Sequence, residues 1–385
     1  MKTKFTILII FLYLTLFGES VSTPPSNYAA NDSGTMENPY LISDLSNLRW
    51  LSETQEVWGS KSQKFFFLQT APIDATETRN WNDGKGFSPI GALGEVLQTE
   101  DDSFNFSLAF YGCYNGQSYP IENLFIASNG NVGELPMKGL FGTVLDAKLI
   151  NIKLENILFI VEESNIGALC VSLFNSSVSN CSVSGIIILN HPTNMTRNRG
   201  RSIASGLIHQ SWNSSIDQCF AIVDMISNGD NNKQFNGLVY SLSNSTLSNS
   251  YFRGTMLNPG PNSSGLVGTA EGTIINCFTA VNTNSIVYGI SYFPLDSTIK
   301  NTYYLTSHMI KKAHGIRFID RMVIKSLPKD KREGGQILSF TGGGIPPQKK
   351  ITKSQFKGWD FIKIWNIDPT KNGGFPYLRG IPKES

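Results

Sequence analysis

The four histidines of this chain, His191, His209, His308 and His314, include no pair set one helical turn apart with a glutamate between them, so the zinc-peptidase arrangement is absent from the sequence. No Gly-x-Ser-x-Gly elbow and no Cys-x-x-Cys pair occurs, and the run Gly342-Gly343-Gly344 lacks the Lys-Ser/Thr of a phosphate loop. Carboxylates are the remaining route to catalysis. A polysaccharide-cleaving enzyme needs an acid/base pair, or calcium ligands beside a basic residue. The densest such stretch is Asp74, Glu77, Arg79, Asp83 and Lys85, and its composition equally suits a turn held by Asp and Asn side chains. We read it as a turn. No residue is assigned as catalytic, cofactor-binding or metal-ligating, and no cofactor is implied.

The five cysteines are Cys113, Cys170, Cys181, Cys219 and Cys277. They bear on the compartment, because residues Met1 to Ser22 read as a signal peptide: Lys2 and Lys4, the apolar run Phe5 to Phe17, then small residues Ser20-Val21-Ser22. An exported chain raises the question of disulfides. Cys181, Cys219 and Cys277 occupy one repeat position, however, where cysteine serves as a small apolar core residue, and mostly free buried thiols are expected. The apolar run is short for a bilayer and no second long one follows, so no transmembrane segment is expected after leader removal. Eight Asn-x-Ser/Thr sequons start at Asn31, Asn105, Asn175, Asn180, Asn194, Asn213, Asn244 and Asn262. In so Asn- and Ser-rich a chain, composition alone yields many of them.

The elements that must position these groups come from an internal repeat. A glycine followed by apolar residues recurs at Gly139, Gly167, Gly206, Gly237, Gly265 and Gly289, and eleven to thirteen residues later stand Asn151, Asn180, Gln218, Asn249, Asn276 and Asn301. The return to the next glycine varies from 13 to 26 residues, which places insertions on one side of the structure. Two residues before each Asn or Gln lies an aliphatic: Leu149, Val178, Ile216, Leu247, Ile274 or Ile299. The residue after it is also of core type. In a straight strand those two positions face opposite sides, so the chain must bend at the amide residue, and Asn tolerates the left-handed conformation such a bend needs. The unit is strand, bend, strand, variable loop. It buries its apolar face only by stacking on its neighbours, which predicts an all-β fold: a right-handed parallel β-helix with aliphatic and amide columns. A β-propeller, with its regular blades of four strands, fits these units poorly.

The repeats resemble the GLUG motif, best at Gly139-Leu140-Phe141-Gly142 and Gly265-Leu266-Val267-Gly268, with Cys170, His209 and Tyr240 in place of the final glycine elsewhere. The resemblance extends upstream through Gly34-Thr35-Met36-Glu37-Asn38-Pro39-Tyr40, Phe87-Ser88-Pro89-Ile90-Gly91, Tyr111 to Gly116 and Ile121 to Leu124. Downstream it takes in Trp359-Asp360-Phe361, Trp365 and Gly374 to Leu378. It implies a secreted or cell-surface β-helical protein of the adhesin-like kind. The same motif accompanies the protease domain of IgA-cleaving metallopeptidases. It brings no catalytic residues to carry over.

The expected layout is a signal peptide at 1–22, a flexible N-terminus at 23–33, an N-terminal cap and first coils at 34–126, the repeat β-helix at 127–308, a basic loop-rich segment at 309–358 and a C-terminal cap at 359–385. A helix from Ser43 to Glu53, with Leu45, Leu48 and Leu51 on one face, is expected to cover the first coil, and Trp359 and Trp365 the last. Between Met309 and Gly358 the local charge is +9, which leaves −7 for the rest of a chain whose net charge is +2. Without aromatic interleaving or a nucleic-acid motif, that segment reads as a solvated loop, and no nucleic-acid partner is expected. The functional expectation is a non-enzymatic extracellular scaffold that binds an unknown glycan or protein through loops, with Leu189 to Ser205 and Ser227 to Phe235 as contact surface. The alternative is a polysaccharide lyase or hydrolase.

Overall fold

The computed structural model describes residues 20–92, 108–128, 137–162, 164–190, 202–229, 233–305, the backbone of 337–345, and 351–380. One column of inward side chains runs the length of its core. Tyr40, Phe67, Tyr114, Leu149, Val178, Ile216, Leu247, Ile274 and Ile299 follow one another in parallel register, and Phe340 continues the backbone pairing. At about 4.8 Å per step the nine steps make a solenoid roughly 43 Å long. The expected parallel β-helix is therefore the fold observed, and the parallel pairing between successive turns excludes a propeller. Three rungs precede the glycine repeats and one follows them.

The first three repeats carry four strands each rather than the two expected, and in the later ones neighbouring strands merge, as in Val239–Ser248 and Val267–Ile275. After the lead-in strand Ile203–Ser205 comes the Gly206-Leu207 corner, then a second strand Ile208–Trp212, a middle strand Ser215–Asp217 and a long strand Phe220–Asn228. The predicted bend lies between the last two. Asn151, Asn180, Gln218, Asn249, Asn276 and Asn301 all have left-handed φ, between 45° and 54°. A further bend five residues earlier was not anticipated: Asp146, Asn175, Asn213, Asn244 and Asp296 have φ between 42° and 49°. In the fifth repeat Gly272 stands near this place, and the pairing slips by one residue between Ser243 and Thr246.

Amide ladders and small inward side chains satisfy the groups that the bends leave without strand partners. Asn276 Nδ2 donates to Asn249 Oδ1 at 3.2 Å, Asn301 Nδ2 to Asn276 Oδ1 at 3.1 Å, and Asn213 Nδ2 to Asn175 Oδ1 at 2.8 Å. At Gln218 the ladder is rerouted, and Asn249 Nδ2 donates to Asp217 Oδ1 at 2.8 Å. Buried N–H groups just after each bend would otherwise be orphaned. They find hydroxyls one rung up: Ser176 N donates to Ser214 Oγ, Ser214 N to Ser245 Oγ, and Cys219 N to Ser250 Oγ, at 3.0, 3.0 and 3.1 Å. Left-handed Asn, buried Ser, then a strand residue gives the triplets at Asn175, Asn213 and Asn244. Those sequons thus have a structural origin beyond composition.

The repeat glycines serve close approach rather than unusual φ. A Cβ on Gly237 would lie 1.9 Å from the carbonyl oxygen of Gly265 in the next rung. Pairing also corrects the alignment of the second repeat. Cys170 pairs with Phe141 and Ile208, so that turn holds one extra residue and Val171, not Cys170, stands where the motif has its final glycine.

At the N-terminal end the helix spans Leu45–Glu53, and Asp44 caps it by accepting a hydrogen bond from Asn47 N at 2.9 Å. Leu45, Leu48 and Leu51 enter the main core. Residues 23–33, expected to be flexible, are packed: Thr23 N donates to Ser46 O, and the Tyr28 ring lies 5.1 Å from Trp50. The stretch expected to be a basic loop contains a strand, Ile337–Ile345, which pairs with Ser297–Leu305 and takes in the three glycines 342–344. A nine-residue strand with a parallel partner satisfies its backbone better than a solvated loop would.

Residues 351–380 do not close the end of the solenoid. They lie along its side, over an outward column of aromatics, Phe220, Tyr251, Phe278 and Tyr303, which are paired rung to rung. Trp365 is fully buried there and stacks on Trp359 at 4.0 Å, and Trp359 Nε1 donates to Asn301 O at 2.8 Å. The Arg253 guanidinium packs 4.9 Å over Phe375. Aromatic residues attract this cover because each leaves a large apolar area in water unless a second layer reaches it.

Candidate functional site

Burial disposes of most of the chemically capable residues. All five cysteines are free thiols, and four of them have no exposed surface. Burial pushes the Cys170 and Cys219 thiols far up and that of Cys277 up to about 12, so they stay protonated and unreactive. Each instead donates weakly to a carbonyl two residues away, Cys181 to Ser179 O at 3.2 Å and Cys219 to Asp217 O at 3.2 Å. His209 is buried and its ring stacks on Tyr240 at 4.9 Å. Burial lowers its pKa to about 4, leaving a neutral ring whose Nδ1 has no protein partner. His191, His308 and His314 lie outside the described residues.

Of the carboxylate stretch, read as a turn, Asp74 ends the strand Ile73–Asp74, Glu77 and Arg79 lie in a 3-10 helix, Thr76–Asn80, and only Asp83 and Lys85 lie in a turn. Asn82 and Asp83 are left-handed at φ 53° and 54°. Asp74 Oδ1 accepts from Thr76 N at 3.0 Å, from Thr76 Oγ1 at 2.6 Å and from Asn123 Nδ2 at 3.0 Å. Those bonds, led by the Thr76 hydroxyl, hold its carboxyl below the usual range. For Glu77 burial pushes the pKa up, but hydrogen bonds from Ser20 and Trp81 outweigh it and the carboxyl ends lower than usual. A glycosidase acid needs a raised pKa so that it still carries its proton when substrate binds. Asp74 and Glu77 are shifted the other way. Arg79 packs on the Phe125 ring at 5.7 Å. Among the described residues no group of three or more His, Cys, Asp or Glu side chains could hold a metal ion.

The loops expected to form the contact surface are strand at their described ends, Ser182–Asn190, Ile203–Ser205, Phe220–Asn228 and Gln234–Asn236. Residues 191–201 and 230–232, their tips, lie outside the described residues. One concave surface, of about 750 Å³, lies beside Asp44, Asp74, Glu77 and Arg79, and another runs up the middle-strand flank. It is a trough of about 980 Å³ that starts beside Met36, Pro39, Lys64 and Phe66 and reaches Asn244. That path crosses seven rungs, roughly 29 Å. Along its floor stand Cys113, Lys148, Ser177 and Ser215, and the first-bend residues Asp146, Asn175, Asn213 and Asn244 form one rim. Cys113 is half-buried, and burial raises its pKa although Lys148 nearby offsets part of the shift. Lys64 Nζ donates to Asp146 O across the trough's lower end.

Just outside that rim rises a second outward apolar column. Leu145, Phe174 and Trp212 pair in register on the second strands, and Leu145 packs with Ala109 and Tyr111. Leu145 is buried and Phe174 half-buried, whereas Trp212 is 53% exposed. The other five tryptophans are buried. Sequence reasoning passed over this residue because Trp212 sits on an unremarked second strand. Its signal was the Trp-Asn pair at the bend.

The geometry defines a parallel β-helix with one sealed and one open flank. No family model matches the chain. Halomucin of Haloquadratum walsbyi is 29% identical to it over 156 residues, which is 40% of this chain and 2% of halomucin. A solved chain from Bacteroides ovatus, described as a candidate immunoglobulin A1 protease, superposes with a TM-score of 0.51 over 90% of this chain and 94% of its own, at 14% identity. That likeness shows the fold. No helix among the described residues is long and apolar enough to cross a membrane.

Proposed function

We propose that this chain is an extracellular, adhesin-like scaffold that binds a glycan or protein on its outer surface without turning it over. The observation that carries the reading is the open flank: a trough crossing seven rungs, beside an exposed Trp212, on a body whose other outward aromatic column is sealed by its own C-terminal segment. Rigid in-register rungs preorganise such a surface, so little ordering free energy is lost on binding. The leader read at Met1 to Ser22, the GLUG-motif resemblance and the partial likeness to halomucin support the extracellular and surface-protein parts of the reading.

The test offers the whole secreted protein to immobilised polysaccharides and matrix proteins and follows retention and turnover together. Retention with no new reducing ends and no unsaturated uronate products is the expected result. Sustained release of either product overturns the scaffold reading in favour of a lyase or hydrolase.

A further inference from the structure

Four features of the trough converge on one chemistry. Its floor presents Ser177 and Ser215, whose side chains reach solvent at the rung spacing of about 4.8 Å, close to the rise of one sugar ring along an extended chain. The rim offers amides at the same spacing, and Asn175, Asn213 and Asn244 are exposed there. Charges within it are of both signs, Lys64 and Lys148 against Asp146, so no single-sign field exists to concentrate a polyanion. Beside Asn213 the Trp212 side chain is half-exposed. Sugar rings present C–H faces to an aromatic plane and hydroxyl edges to amides and hydroxyls, and few other polymers need both along one line.

On the scaffold reading above, we infer that this trough is the binding site for a neutral polysaccharide chain, laid parallel to the solenoid axis with one sugar face against Trp212. Asn175 and Asn213 already spend one amide bond on each other, yet each amide can make further bonds. The ladder therefore remains intact when a saccharide hydroxyl is added. Cys113 on the floor is the only thiol of the five with exposed surface, which makes it an internal reporter of occupancy.

The experiment titrates the whole chain with cellohexaose, xylohexaose, maltohexaose and chitohexaose, and with hexagalacturonate as the charged counterpart. Two signals are read: emission of the exposed tryptophan, isolated by iodide quenching, and the rate of Cys113 alkylation by N-ethylmaleimide. A neutral hexasaccharide is expected to protect Trp212 from iodide and slow alkylation at least fivefold. Trp212→Ala should weaken that binding at least tenfold and Trp212→Phe should restore part of it, both with an unchanged unfolding midpoint. Response to hexagalacturonate alone overturns the neutral class. Silence from all five sugars in both signals overturns the site, as does binding that survives Trp212→Ala and leaves Cys113 reactive. Either result leaves the scaffold reading to its own criterion, retention without turnover.

Discussion

Two outward columns of apolar residues run along the same solenoid and meet opposite fates. Phe220, Tyr251, Phe278 and Tyr303 are all less than a tenth exposed because residues 351–380 fold back over them. Leu145, Phe174 and Trp212 have the same register on another face, and exposure there rises from Leu145, which is buried, to Trp212, which is 53% exposed. Leu145 finds shelter against Tyr111, whereas Trp212 does not. The backbone is regular at both places. What separates a second core from a candidate binding surface is whether the chain's own tail covers the column, a decision made by contacts more than fifty residues apart in sequence, such as Trp359 Nε1 with Asn301 O.

The sealed side is where a single substitution should act most strongly. Trp365→Ala is expected to cost about 3–5 kcal/mol, the range for deleting a large buried aromatic, and to raise binding of an apolar dye as the column opens. Urea unfolding measures the first and dye fluorescence the second. An unchanged midpoint would mean that the segment does not hold the flank closed.

Next in size is a pH effect on the strand that carries Trp212. His209 is neutral when folded, with a pKa of about 4, while the unfolded chain takes up a proton near 6.5. Its contribution is therefore full above pH 6.5 and is lost as the pH falls towards 4, a change of roughly 3 kcal/mol at 1.36 kcal/mol per unit. Unfolding midpoints at pH 7, 5.5 and 4 should show the decline, and His209→Phe should flatten it. Equal pH slopes in the two proteins would remove His209 as its source.

The bends that border both flanks should respond at about 2 kcal/mol. Asn249→Ala forces alanine to φ 45° and removes the amide's bonds with Asp217 and Asn276. Asn249→Gly removes the bonds without the strain, so it is expected to cost less. If the two cost the same in urea unfolding, conformation is not what fixes asparagine there. Smallest is Trp212→Ala, expected within about 0.5 kcal/mol of the parent because half of the side chain already faces water. A cost near that of Trp365→Ala would show that the open flank is core after all.

Much of the solenoid was legible because its constraints are local. Left-handed φ favours Asn and close backbone approach demands Gly, so Gly237 and Asn249 mark their places in any rung. The second bend of each turn stood out against the aliphatic two residues before it. The first bend did not, since Asp146, Asn175, Asn213 and Asn244 vanish among many other Asn and Ser residues and the fifth repeat omits it. The sealed column left a trace that was not followed: two residues after the bend, Lys153 and Ser182 give way to Phe220, Tyr251, Phe278 and Tyr303. Aromatics replace polar groups there from the third repeat onward.

By itself, then, the sequence determined the repeat, the axis and the inward column from Leu149 to Ile299, because each rung sets its own turn and meets only its neighbours. Tertiary structure alone decided which outward faces are covered, that residues 351–380 run along the flank rather than across the end, and that the trough lies beside an open Trp212. Those outcomes depend on how a distant segment packs against a surface many rungs long, and no local preference of φ, side-chain size or spacing encodes that choice.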